Sequence, residues 1–323
     1  MSQSMPAAPR RHWAHINEAS FVAGMRFLFW ICRTFGRWPF RLFLYPVLTW
    51  YVLTQPAARA ASSDYLRRVR NHGKLEWINP GLAGVMRHFA AFAECILDKM
   101  LLWGGHTNFG KVAYFGEKQL DDDIASGRGG LLICSHFGNL ELCRVLARQR
   151  GGMKMTVLVH TKHARKFNQL LGQLDPESQL NLLQVTEMSP ATAMLLNERV
   201  SRGEFVVIAG DRVPVTSGAR TCEAQFMGAP AAFPVGPYVL ASLLQCPVYM
   251  LFSMRSGRRS EIHFERLRDS VRLPRKGREQ AFAELAQDYA ARLEHFCLRA
   301  PFQWFNFFEF WRMPDRESTD ASC

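Results

Sequence analysis

The chain of 323 residues carries 40 Lys and Arg against 28 Asp and Glu, a formal net charge of +12, and is 48% hydrophobic. That size and apolar content suit one large α/β domain with an appended element, or two modest domains, and exclude global disorder. The positive excess calls for an anionic partner, and the absence of any zinc-finger, RNP-like or basic-zipper pattern argues against nucleic acid.

Residues 1–12 are expected to form a mobile tail. Through residue 70 the chain holds ten Arg and no Lys, opposed only by Glu18 and Asp64, and carries Trp13, Trp30, Trp38 and Trp50. Arg and Trp interleaved with apolar runs describe a membrane interface, so an anionic membrane surface is the expected partner. One run, Phe21 to Phe35, is interrupted by Arg26 and Arg33. After a break at Gly36–Pro39 a second spans Leu42 to Thr54, with Pro46 expected to kink it. The second run is shorter than the roughly 20 residues needed to cross a bilayer. The two runs read as in-plane or re-entrant helices, or as one poor span; the soluble alternative is a helical pair packed on the rest of the chain. The predicted division is 1–60 for this tail and membrane-associating element and 61–323 for the catalytic domain. No cleavable signal peptide is evident, and the eight scattered cysteines suit buried thiols in a reducing compartment. The catalytic part is accordingly expected to be cytoplasmic.

Beyond a break at Pro56, helices are expected over 62–71 and 82–103, and then helices and short strands alternate. Strands are predicted at 111–115, 129–135, 155–160, 205–209 and 247–254, with helices at 117–126, 140–149, 164–174, 192–202, 238–244 and 278–298. Short apolar strands between helices imply an α/β fold with a mainly parallel central sheet flanked by helices.

The segment Ser135-His136-Phe137-Gly138-Asn139-Leu140-Glu141 follows a buried strand, and loops at the carboxyl ends of strands are where such sheets bind ligands. Five helical residues rotate by roughly 140°, so His136 and Glu141 can meet only if His136 precedes the helix. Gly138 and Asn139 supply turn and N-cap chemistry for that arrangement. Glu141 would then fix one imidazole nitrogen, leaving the other to take a proton from a hydroxyl or amine. Alone, this spacing also fits a histidine beside a solvated glutamate. Cys134 and Ser135 are not read as nucleophiles, since no Gly-x-Ser-x-Gly elbow surrounds them. No metal-ligand spacing and no phosphate loop is present, so neither metal nor cofactor is expected. The basic cluster around His160, Lys162, His163, Arg165 and Lys166 is a solvated loop or a contact for an acidic carrier protein or lipid phosphate.

The segment resembles the HX4(D/E) motif of the lysophospholipid and lipid A acyltransferase superfamily, in particular its lauroyl/myristoyl-type lipid A branch. It is also similar to acyltransferases of aryl-polyene lipid clusters, including in the run from His12 to Pro46. The likeness extends from about His12 to Trp311. It implies a glycerolphosphate acyltransferase-like fold and His136 and Glu141 as catalytic pair. The donor implied is an acyl carrier protein or acyl-CoA and the acceptor a lipid. Ile208-Ala209-Gly210-Asp211-Arg212 resembles the block whose Arg binds phosphate, a role suited to a guanidinium fork. From the residues alone, Asp211 and Arg212 fit a salt-bridged surface turn equally well. Phe226-Met227-Gly228-Ala229-Pro230 and Phe233-Pro234-Val235-Gly236 resemble two further blocks, the second with Val235 where the family has glutamate. Asn139, Asp211, Arg212, Gly228, Pro234 and Gly236 are the implied substrate-binding residues. Pro301-Phe302-Gln303-Trp304-Phe305 resembles the closing segment of the family, and the aromatic cluster after it reads as an acyl tunnel, a lipid dock or core packing. Two other functions compete: a thioester hydrolase on the same His/Glu centre, and a non-catalytic membrane scaffold that uses the Arg/Trp N-terminus.

Overall fold

The computed structural model describes residues 30–31, 34–103, 112–142, 153–159, 182–184, 189–213, 220–257 and 259–313. The expected tail, most of the run from Phe21, the helix at 164–174 and the basic cluster near Lys162 lie outside the described residues.

Three helices come first: α1 (Arg37–Thr54), α2 (Pro56–Gly73) and α3 (Leu82–Trp103). Pro56, expected as a break, instead occupies the first turn of α2, where its missing N–H costs nothing. Helix α1 continues through Pro46. Its residues Phe40, Leu44, Leu48 and Val52 recur at intervals of four and are buried in one cluster with Val85, Phe89, Leu97 and Leu101 of α3. Each side chain so buried contributes about 1.5–3 kcal/mol, enough to hold α1 on α3 without any membrane. Among the described residues no helix is long and apolar enough to cross a membrane.

The sheet has seven strands in the order β1-β9-β8-β2-β5-β3-β4. They are β1 (Val112–Phe115), β2 (Gly130–Cys134), β3 (Met155–Val159), β4 (Leu182–Gln184), β5 (Phe205–Ala209), β8 (Val248–Ser256) and β9 (Arg259–Arg268). Pairing is parallel throughout except between β8 and β9. The central strand β2 is buried along its whole length. Its side chains alternate between two cores, Leu131 and Ile133 in one and Leu132 and Cys134 in the other, as expected for a sheet covered on both faces. Helix α4 (Glu117–Ala125) contributes Leu120 to the second core. Helices α5 (Pro190–Ser201), α6 (Gly236–Leu244) and α7 (Arg278–Arg299) contribute to the first and larger one.

The pattern analysis did not anticipate β4, β9 or the hairpin β6 (Thr221–Phe226) and β7 (Ala229–Pro234). The hairpin closes with Met227 and Gly228 both at positive φ, 52° and 74°, the conformation that two-residue hairpin loops require. It packs on α7, where the Gln287 side-chain carbonyl accepts the Gln225 amide at 2.7 Å.

Candidate active site

The centre of the site follows from strand register. In the parallel pair β2·β5, Cys134 lies opposite Ala209, and the ladder continues as the Gly210 amide donates to the Cys134 carbonyl at 2.8 Å. Two residues beyond that pair, each strand delivers a polar side chain: His136 from one and Asp211 from the other. They meet. The His136 amide donates to Asp211 Oδ2 at 2.7 Å, and imidazole Nδ1 stands 2.8 Å from Asp211 Oδ1. A carboxylate only accepts, so Nδ1 carries the proton and Nε2 holds the basic lone pair.

Asp211 is 2% exposed and accepts a third bond, from the indole N–H of Trp304 at 2.9 Å. Burial pushes its carboxyl up, but the imidazole, the bonds from His136 and the Arg212 guanidinium outweigh that, and its pKa lies below the ordinary value. Burial and the Arg212 cation together hold His136 below the usual histidine value, against the opposing pull of Asp211. At neutral pH the pair is therefore a neutral imidazole on a carboxylate, which is a base ready to accept a proton.

The turn carrying His136 is clamped on two sides. The Phe305 amide donates to the His136 carbonyl and the Gly138 amide to the Gln303 carbonyl, both at 2.8 Å, with Phe137 bridged antiparallel to Trp304. On the other side Gly138, at φ 62°, presses against β8 so closely that a Cβ would lie 1.7 Å from the Ser253 carbonyl oxygen. The helix begins at Leu140, so His136 does precede it. Asn139 caps it, its Oδ1 accepting the Glu141 amide at 3.2 Å. Glu141 is half-buried in the first turn of that helix. The carboxylate on the Nδ1 side is that of Asp211.

Arg212 donates from Nη2 to the Phe305 carbonyl at 3.0 Å, and its guanidinium lies 5.8 Å from the centre of the Phe308 ring. Gly228 sits in the hairpin loop beside His72. Pro234 ends β7, and Gly236 opens α6. The hairpin reaches the centre through Phe226, whose ring centre is 5.2 Å from that of Trp304. A cleft of about 240 Å³ backs the turn, lined by Glu94, Asp98, Asn139, Arg255, Gln303 and Phe305 among others. The aromatic cluster near the end of the described chain is largely core: Phe305 and Phe310 are buried, and Trp304 is fully so. Among the described residues no cluster of His, Cys, Asp and Glu could hold a metal ion.

Sequence reasoning missed His88, and it named Trp304 without its place beside Asp211. His88 is fully buried in α3, donates from Nε2 to the Trp304 carbonyl at 2.8 Å and accepts at Nδ1 from the Ser62 hydroxyl at 2.9 Å. Burial lowers its pKa to about 4, so it is neutral. The burial of Trp304 was legible as one more aromatic in an aromatic run; its bond to Asp211 was not.

The imidazole–carboxylate pair lies at the carboxyl edge of a mainly parallel α/β sheet, where such folds bind ligands. A model of the bacterial lipid A biosynthesis acyltransferase family matches residues 97–313, and the chain belongs to that family. It is an acyltransferase acting on a lipid. The matched span includes His136, Glu141, Asp211, Arg212 and Trp304, whereas α1 and α2 precede it. Comparison with curated proteins gives no match.

Proposed function

We propose that the protein moves a fatty acyl or aryl-polyene acyl group from a thioester to a hydroxyl or amine of a lipid acceptor. The thioester is that of an acyl carrier protein or of coenzyme A, with the carrier protein preferred. The observation that carries this reading is the His136–Asp211 pair, with Nδ1 engaged and Nε2 left as the base. Nε2 takes the proton of the acceptor as its oxygen or nitrogen attacks the thioester carbonyl. The C–S bond then breaks, and the imidazolium returns the proton to the leaving thiolate. Asp211 holds the tautomer and favours the imidazolium that forms.

Glu141, in the first turn of the helix that follows His136, is the second carboxylate of the proposed centre. Arg212 anchors a phosphate of the donor or acceptor by its guanidinium fork. Asn139 fixes the start of the helix behind His136. The 226–236 segment, with Gly228 and Pro234 of the hairpin and Gly236 at the start of α6, shapes a wall of the substrate pocket.

The reaction is placed at the cytoplasmic face of the inner membrane. Support comes from the outer surface of α1, where Trp38 is 75% and Trp50 is 71% exposed, beside exposed Leu42, Tyr45 and Leu53. An apolar surface of that kind suits a helix lying in the headgroup region of an anionic bilayer.

The test is a purified full-length chain in detergent with labelled acyl carrier protein and candidate lipid acceptors. His136→Ala is expected to abolish transfer with an unchanged melting temperature. Asp211→Asn is expected to slow it by on the order of 10² or more, and Glu141→Gln to slow it less. Transfer by His136→Ala defeats the mechanism. Release of free acid alone in the presence of every acceptor makes the protein a thioester hydrolase.

A further inference from the structure

We infer that Trp304 is a positioning residue, whose indole N–H pins the Asp211 carboxylate in the roll that holds His136 for proton transfer. The inference rests on the reading of His136 as base and Asp211 as its partner. With both donors on His136 alone, the carboxylate could follow any tilt of that residue. The indole bond at 2.9 Å comes from a different part of the chain and fixes Oδ2 independently. Trp304 itself has no freedom to drift. Its ring is enclosed by Tyr65 at 5.0 Å, Phe226 at 5.2 Å and Phe310 at 4.9 Å between ring centres. Its carbonyl is held by His88, and its backbone pairs with Phe137, next to the base. One short segment, 303–305, thus bonds to the backbone on both sides of Phe137 and to the carboxylate that orients the imidazole.

A donor aimed at a carboxylate also lowers its proton affinity, which keeps the shared proton on Nδ1. Removing the indole N–H makes Asp211 more basic, and a more basic carboxylate raises the pKa of His136. The other charged and titratable groups facing the pair are Arg212, Lys99, and Tyr289 and Cys297 of α7. All of them remain in place in Trp304→Phe, so a displaced titration reports the lost bond.

The experiment compares the wild-type full chain and Trp304→Phe by transfer kinetics from an acyl carrier protein thioester and by NMR titration of 13C-labelled histidine without substrate. The expected result is a kcat lowered about tenfold with donor KM unchanged, and both the acid limb of kcat/KM and the His136 titration displaced to higher pH. A kcat within twofold of wild type together with an unmoved His136 titration reduces Trp304 to packing and overturns the inference. So does a rise in KM at constant kcat. If Trp304→Phe does not fold, the wild-type indole 15N–1H resonance decides: it must shift through the His136 titration, and a flat resonance overturns the inference. The substrate-free titration reads the Trp304–Asp211–His136 coupling even if His136→Ala proves active, so failure of the coupling and failure of the catalytic reading are separate results.

Discussion

Acid should weaken this protein through a residue that touches no substrate. His88 is fully buried, and its pKa is lowered to about 4 from the ordinary histidine value of 6.5. In the unfolded chain the imidazole gains its proton near pH 6.5; in the folded chain it resists to about pH 4. The folded state therefore binds fewer protons across that window, and the stability is full above pH 6.5 and lost as pH falls toward 4. A displacement of about 2.5 pH units corresponds to about 3 kcal/mol, a large share of the 5–15 kcal/mol typical of a domain. The variant that isolates the effect is His88→Gln, which can still donate an amide hydrogen to the Trp304 carbonyl but does not titrate. Urea unfolding followed by tryptophan fluorescence at half-unit steps from pH 7.5 to 4 gives the stability of each form. His136, His263 and the carboxylates titrate in both, so the informative quantity is the difference between the curves. Wild type should lose about 3 kcal/mol more than His88→Gln over the window. Parallel curves would refute the claim that His88 is held neutral by burial.

Two glycines at positive φ separate backbone strain from steric fit. Gly138→Ala adds a clash with the Ser253 carbonyl to the cost of its φ of 62° and should destabilise by about 3 kcal/mol or more; Gly127→Ala, at φ 71° with nothing within 4 Å, should cost about 1–2 kcal/mol. Equal losses in chemical unfolding would contradict the close approach of the catalytic turn to β8. On the outer surface of α1, Trp38→Ser and Trp50→Ser should each weaken co-sedimentation with anionic vesicles by about 2 kcal/mol, roughly thirtyfold in partitioning, without lowering the melting temperature. Undiminished binding by the double variant would remove α1 from the membrane contact.

Much of the sheet could be read from the residues because its strands are short, apolar and flanked by helices. Gly129–Ser135 and Phe205–Ala209 are continuous apolar runs, and both are strands. The position of His136 ahead of the helix was also readable, since Gly138 and Asn139 mark a turn and a cap before Leu140. Which strands are neighbours was not. His136 and Asp211 are 75 residues apart, and only the placement of β5 directly beside β2, with Ala209 level with Cys134, brings them together. Without strand order, Glu141 was the nearest carboxylate along the chain, and the Asp211 carboxylate at Nδ1 went unseen. The hairpin escaped for another reason: Ala229-Pro-Ala-Ala-Phe-Pro234 has the composition of a loop, and its pairing is set by the loop at Met227 and Gly228 and by packing on α7. Strand β9, rich in Arg and Glu, lacks the apolar run that marked the others.

The contacts of residues 303–305 also order events in time. A ribosome adding residues from the amino end produces His136 and Asp211 long before Trp304, Gln303 and Phe305. Until those three have emerged, the turn at 136–138 lacks its antiparallel partner, and the carboxylate lacks its indole bond. The scaffold can collapse early on the β2·β5 pair, but alignment of the base is among the last steps of folding, delayed by a loop closure of more than 160 residues. A nascent chain short of residue 303 would thus contain His136 and Asp211 yet lack the bonds that hold them in line.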